Sequence, residues 1–93
     1  MKDITFQQQF KRDLRKNYLA LLTPEWAEVL HCLSTMQELP PKYLDHPLKG
    51  HYVGFRECHI KPDLLLIYDN QPNDFVQLVR IGSHSELFGK KKK

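Results

Sequence analysis

Residues 51–68 read H-Y-V-G-F-R-E-C-H-I-K-P-D-L-L-L-I-Y, and the fold turns on this stretch. Pro62 interrupts it as a turn residue and leaves a run at 51–60 and another at 63–68. The second is nearly continuous in apolar residues, as a strand buried on both faces would be. Period-two geometry sorts the first. Val53, Phe55, Glu57 and His59 point one way; Tyr52, Gly54, Arg56, Cys58 and Ile60 point the other. Cys58 and Ile60 are apolar enough to face a core, which leaves Glu57 and His59 as neighbours on the opposite side. Arg56 fits that sorting poorly and belongs at a sheet end or in a bulge.

Downstream, Asn70-Gln71-Pro72-Asn73-Asp74 is a turn cluster, 75–81 reads as a third strand of a meander, and 82–89 closes the domain with about one helical turn. Upstream, 39–50 is a loop by composition. Thr23-Pro24-Glu25 is a helix start: Thr caps, Pro suits the first helical position and Glu complements the positive helix end. That helix carries Trp26, Val29, Leu30, Leu33 and Met36 as its stripe and stops before Pro40-Pro41. Before it, 7–22 has Phe10, Leu14, Tyr18 and Leu21 on one face, with Lys11, Arg12, Arg15 and Lys16 over much of the rest. Residues 2–6 form a short first strand. The order implies an α+β domain, a mostly antiparallel sheet with an N-terminal helical hairpin packed on one face. The other face is then partly open, and polar groups on it are candidates for function.

The chain has 93 residues, which fits one domain, 1–89, followed by a basic tail, 90–93. With 41% hydrophobic and 27% charged residues it is neither a disordered chain nor a collagen-like one. Its longest strongly apolar run, 64–68, is far short of the roughly 20 residues of a membrane span. No export signal is visible, so a cytoplasmic location and no membrane partner are expected. Cys32 and Cys58 read as free thiols, outside any C-x-x-C pair. Lys and Arg number 14 against 11 Asp and Glu; without the four tail lysines the balance is 10 − 11 = −1. Any binding to nucleic acid by the body must therefore use a local patch. The tail itself is either a phosphate contact or a solvated end.

Five histidines are many for this length. His31 lies in the second helix and reads as structural or exposed; His51 reads as a rim residue. His46, in a Pro-containing loop, His59, beside Glu57, and His84, after Gly82-Ser83, are placed to gather at one edge of the sheet. No pair has the H-x-x-x-H or H-x-H spacing that sets two ligands on one face, so no metal is assigned. Proton transfer fits better, since imidazole titrates near pH 6.5 and a pair supplies one base and one acid. RNA cleavage suits such a set: the ribose 2′-hydroxyl is an internal nucleophile, and the site need only move two protons and stabilise charge on phosphorus. Arg80 can supply that charge; alternatively it pairs with Glu57, Asp63 or Glu86. Phe88, four residues after His84, can stack an unpaired base; alternatively Leu87 and Phe88 staple the C-terminus to the core.

Three blocks then become recognisable. Asp45-His46-Pro47-Leu48-Lys49-Gly50, Phe55-Arg56-Glu57-Cys58-His59-Ile60-Lys61-Pro62-Asp63 with Leu66-Ile67-Tyr68, and Gly82-Ser83-His84-Ser85-Glu86-Leu87-Phe88-Gly89 together resemble the YafQ family of bacterial toxins, within the RelE/ParE superfamily. The first half of the chain matches in length and pattern only. The resemblance implies a microbial-ribonuclease-like sheet with two helices. It implies a metal-independent, cofactor-free endoribonuclease that cuts mRNA on the translating ribosome, leaving a 2′,3′-cyclic phosphate and a 5′-hydroxyl. It also implies a cognate antitoxin, with operator DNA touched only through the antitoxin complex. By the same resemblance His84 is the principal proton donor. Glu57 or His59 takes the 2′ proton, His46 and Asp63 position or tune their neighbours, Arg80 contacts phosphate and Phe88 contacts substrate. Glu57 departs from the aspartate of the best-known member and reaches one methylene further. Rival readings are a superfamily toxin without nuclease activity, such as one acting on gyrase, and a small adaptor domain. The basic face of 7–22 is either a ribosomal RNA contact or a solvated surface.

Overall fold

Thr23 accepts a hydrogen bond from the Trp26 amide and Pro24 occupies the first turn, so a helix starts where the sequence places it, Pro24–Ser34 (α2). The computed structural model describes residues 1–89; the segment 90–93, read as a basic tail, lies outside them. Among the described residues the other elements are Asp3–Phe6 (β1), Gln8–Asn17 (α1), His46–Pro47 (β2), Arg56–Lys61 (β3), Leu64–Asp69 (β4), Phe75–Gly82 (β5) and His84–Phe88 (α3). Short 3-10 turns occupy Tyr18–Leu22, Pro41–Tyr43 and Gly50–Tyr52. No helix among the described residues is long and apolar enough to cross a membrane.

The strands form one sheet in the order β1-β5-β4-β3-β2. Three pairings are antiparallel, but β1 runs parallel to β5, so the sheet is mixed. β4 sits at its centre. Leu65, Leu66, Ile67 and Tyr68 are all buried, which is why this strand is apolar at successive positions.

Both α1 and α2 contribute to one core with a single face of the sheet. Phe10, Trp26, Val29 and Leu33 pack there with Cys58, Ile60, Leu66, Tyr68, Val76, Leu78 and Ile81. The two helices share one face of the sheet, as expected, and each rests mainly on strands and not on the other helix. α1 lies chiefly against β5, α2 meets β3 and β5, and the Phe10 and Trp26 rings stack at 6.2 Å. The expected helix over 7–22 stops at Asn17. There the Asn17 side chain donates to the Asp13 carbonyl, a local bond that competes with the helical ladder. Tyr18 and Leu21 are consequently exposed rather than on the buried stripe.

Two further expectations are corrected. The run 51–60 is a strand only from Arg56, because Gly50 and Gly54 take φ of +68° and +97° and bend the chain between them. The opposite face is also less open than expected. Leu65, Ile67, Val79 and Leu87 form a second, smaller core there, with Leu48, Tyr52, Phe55 and Phe88 packed around it.

Candidate active site

The site face is organised by strand register. His46 lies opposite Glu57, Glu57 opposite Ile67, and Ile67 opposite Arg80, so one row crosses β2, β3, β4 and β5. The next row runs from His59 through Leu65 to Gly82, two residues before His84. Neighbouring strands are about 4.8 Å apart, so the backbones of Glu57 and Arg80 are separated by about 10 Å. A bulge in the β4–β5 pairing makes this row possible. Strict alternation from Val76 and Leu78 would turn Arg80 into the helix-side core; the extra residue returns it to the site face.

Glu57 is the floor of the first row, only 5% exposed. His46 Nε2 lies 3.2 Å and His59 Nε2 3.7 Å from its Oε1. The imidazole side chains above it are 44% and 27% exposed, respectively, so a solute meets the rings before the carboxylate. His46 Nδ1 lies 2.7 Å from the Leu44 carbonyl, which can only accept, so Nδ1 carries a proton. Its Nε2 then faces Glu57 at ion-pair distance. Both nitrogens of His46 are thus engaged. His59 keeps a longer approach to Glu57 and, among the described residues, no hydrogen bond at Nδ1.

Asp45 and His46 are adjacent but serve opposite faces. Asp45 accepts from Arg56 Nε on both oxygens, at 3.3 and 3.2 Å, and from Nη2 at 3.0 Å, and it accepts another bond from the Tyr68 hydroxyl. This clamp on the helix side accounts for Arg56, which follows the parity of β3 at its first residue and finds its countercharge in the loop. With Asp45 fixed, the short β2 pairing presents His46 over Glu57. The segment expected to be a plain loop therefore contains a strand.

At the other end of the face, the imidazole of His84 is exposed and lies beside Phe88, with ring centroids 4.9 Å apart and the rings tilted by 42°. His84 is placed through its backbone, whose N–H donates to Asp63 Oδ1 at 3.0 Å. The expected staple is Leu87, which is buried; Phe88 is half-buried, edge-on to Tyr52 at 5.8 Å. Arg80 pairs with none of the three acids suggested for it. Its partner is Asp13, through Nε–Oδ2 at 2.7 Å and Nη2–Oδ1 at 3.1 Å, and its Nη1 donates to the Tyr52 hydroxyl at 3.2 Å. Asp13 holds this guanidinium even more firmly protonated than usual, with Tyr52 adding to the effect. His31 and His51 are exposed and lie outside the row.

Sequence reasoning missed Asp13 and Tyr52. A signal for Asp13 was present: it shares a helical face with Phe10 and Leu14 and is the lone acid among Lys11, Arg12, Arg15 and Lys16. Tyr52 gave none, because its position depends on the 3-10 turn at Gly50–Tyr52.

The family model described as bacterial toxin of type II toxin-antitoxin system, YafQ, matches residues 2–89. The mRNA interferase toxin YafQ of Escherichia coli K12 is 34% identical over 89 residues, covering 95% of this chain and 86% of the relative. In the Escherichia coli DinJ–YafQ complex, the matching chain superposes with a TM-score of 0.77 at 30% identity, covering 96% of this chain and all of the other. A copper-bound mutant toxin from Helicobacter pylori superposes with a TM-score of 0.84 at 40% identity, covering 95% and 100%. In the present chain, among the described residues, no group of three or more His, Cys, Asp or Glu is arranged to hold a metal ion.

Proposed function

The chain belongs to the YafQ family of type II toxin–antitoxin toxins, and from that premise we propose that it is an endoribonuclease that cleaves mRNA on the ribosome by 2′-hydroxyl attack. The observation that carries the reading is the row itself: two partly exposed imidazoles over one buried carboxylate, with a fixed guanidinium two strands away.

His59 takes the 2′ proton, since His46 has no free nitrogen. Glu57 holds the charge that develops on the ring, and His46 keeps Glu57 in place. As the proton leaves, the 2′ oxygen bonds to phosphorus. The P–O5′ bond then breaks, with His84 giving its proton to the departing oxygen. The products are a 2′,3′-cyclic phosphate and a 5′-hydroxyl. Arg80 faces the negative charge gathering on the phosphoryl oxygens, Asp63 positions His84, and Phe88 offers a ring on which a base stacks. No metal or cofactor takes part in these steps. The near-neutral body neutralises few phosphates, so the ribosome supplies the placement that charge does not.

A cognate antitoxin is the proposed protein partner, as DinJ is in the Escherichia coli YafQ complex, and operator DNA is reached only through that complex. The adaptor and gyrase-binding readings leave the buried carboxylate beneath two imidazoles without a task.

The test is cleavage of a defined message on programmed ribosomes. His84→Ala and His59→Ala should each lower the rate by at least about 100-fold with the thermal midpoint retained, and the wild type should leave a cyclic phosphate. Cleavage by folded His84→Ala at the wild-type rate would overturn the assignment. An intact message with the wild-type protein would overturn the nuclease itself.

A further inference from the structure

We infer that Asp13, on α1 and outside every motif block, is a positioning residue that sets the Arg80 guanidinium for the scissile phosphate. This rests on the cleavage reading above and deepens it. Asp13 is 8% exposed. Its Oδ2 accepts from Arg80 Nε at 2.7 Å and from the Ile81 amide at 3.1 Å. Its Oδ1 accepts from Arg80 Nη2 at 3.1 Å and from Gln9 Nε2 at 3.2 Å.

The Ile81 bond explains why the acid stands there. β1 pairs with β5 only as far as Phe6 opposite Leu78. Beyond that point β5 is an edge, and the carboxylate of Asp13 takes the Ile81 N–H. A group fixed by the strand backbone is a rigid anchor for the side chain of the preceding residue. Arginine has five N–H donors. Asp13 takes two and Tyr52 a third. The two that remain lie one on each terminal nitrogen and are donors of the kind that phosphate oxygens accept. A lone arginine would sample many rotamers; this one is held before substrate arrives.

The experiment is a double-mutant cycle on programmed ribosomes with Asp13→Asn, Arg80→Ala and the double variant. Asparagine keeps the shape and an acceptor for Ile81 but removes the charge. Asp13→Asn should lower kcat by roughly 10- to 100-fold while KM for ribosomes moves less than about threefold. In the Arg80→Ala background it should add less than about twofold, because a positioning residue acts only through the group it positions. A loss that persists in full without Arg80, or no loss at all, overturns the proposal.

A second readout is independent of cleavage and of how well the variant folds. By NMR, the Arg80 Nε–H of the wild-type protein should exchange with water at least about tenfold more slowly than a free guanidinium. Unprotected exchange would overturn the Asp13 contact. If the wild type fails to cut, the nuclease reading falls while this measurement still decides the contact.

Discussion

Among the described residues, Asp13 and Glu57 are the two buried charged side chains, and their surroundings differ. Both oxygens of Asp13 are saturated by N–H donors. Glu57 has its imidazoles on Oε1, while the buried Oε2 has no partner among the described residues. A buried carboxylate oxygen without a donor is destabilising. Its cross-strand neighbour is Ile67, an apolar surface that a carboxylate cannot use. Glu57→Leu should therefore fold better and work worse. Leucine removes the unpartnered oxygen, whose desolvation costs about 1–3 kcal/mol, while both histidines are partly exposed and keep water as a partner, and one kcal/mol moves the midpoint of a domain this size by roughly 4–8 °C. The expected result at pH 7 is a midpoint several degrees higher in a circular dichroism melt, with cleavage down at least about 100-fold. A lower midpoint would mean that the two histidines stabilise Glu57 more than its desolvation costs.

At the scale of elements, α3 is the weakest part that the site depends on. Five residues do not make a stable helix alone. Ser83 and Glu86 close a capping box, Leu87 is buried, and Asp63 accepts the His84 amide across the turn between β3 and β4. Gly82 lets α3 fold back closely, since a Cβ there would lie 2.6 Å from the Glu86 carboxylate that closes the box. If Asp63 serves as this anchor, Asp63→Asn keeps the acceptor and should stay within about threefold of wild-type cleavage. Asp63→Ala should lose about tenfold and speed hydrogen exchange over 84–88. Equal losses in the two variants would instead place the charge of Asp63 in the reaction. Elements whose signals are local were legible from sequence: the Thr23-Pro24 start, the apolar run of β4, and β5 between its turn cluster and Gly82. The partners of Arg80 and Arg56 were not, because Asp13 is 67 residues from Arg80 and Asp45 reaches Arg56 only through the pairing of β2 with β3. The same holds for β2, whose pairing exists only through β3, and for the parallel place of β1.

Across the whole molecule, the helix-covered face is where stability responds to alkali. Tyr43 and Tyr68 are both about 1% exposed in that core, and both hydroxyls meet carboxylates, Tyr43 with Glu28 at 2.5 Å and Tyr68 with Asp45. Burial first, then the facing carboxylate, pushes each phenol above its ordinary value of 10. Burial likewise pushes the Cys58 thiol above its ordinary 9. In the unfolded chain these groups release their protons near pH 9–10; in the fold they hold them. The stability they confer is therefore fully present below pH 9 and is lost as pH climbs through the range where only the unfolded chain is ionised. Each group steepens the fall by up to about 1.4 kcal/mol per pH unit. Tyr68→Phe removes one of them. At pH 7 it should be less stable by about 1.5–3 kcal/mol, the value of a hydrogen bond to a charged acceptor. Between pH 10 and 11.5 its urea-melt stability should fall less steeply than that of the wild type, by about one proton's worth. Parallel slopes in the two proteins would mean that Tyr68 ionises as freely in the fold as in the unfolded chain, and the clamp of Asp45, Arg56 and Tyr68 that presents His46 would lose its footing.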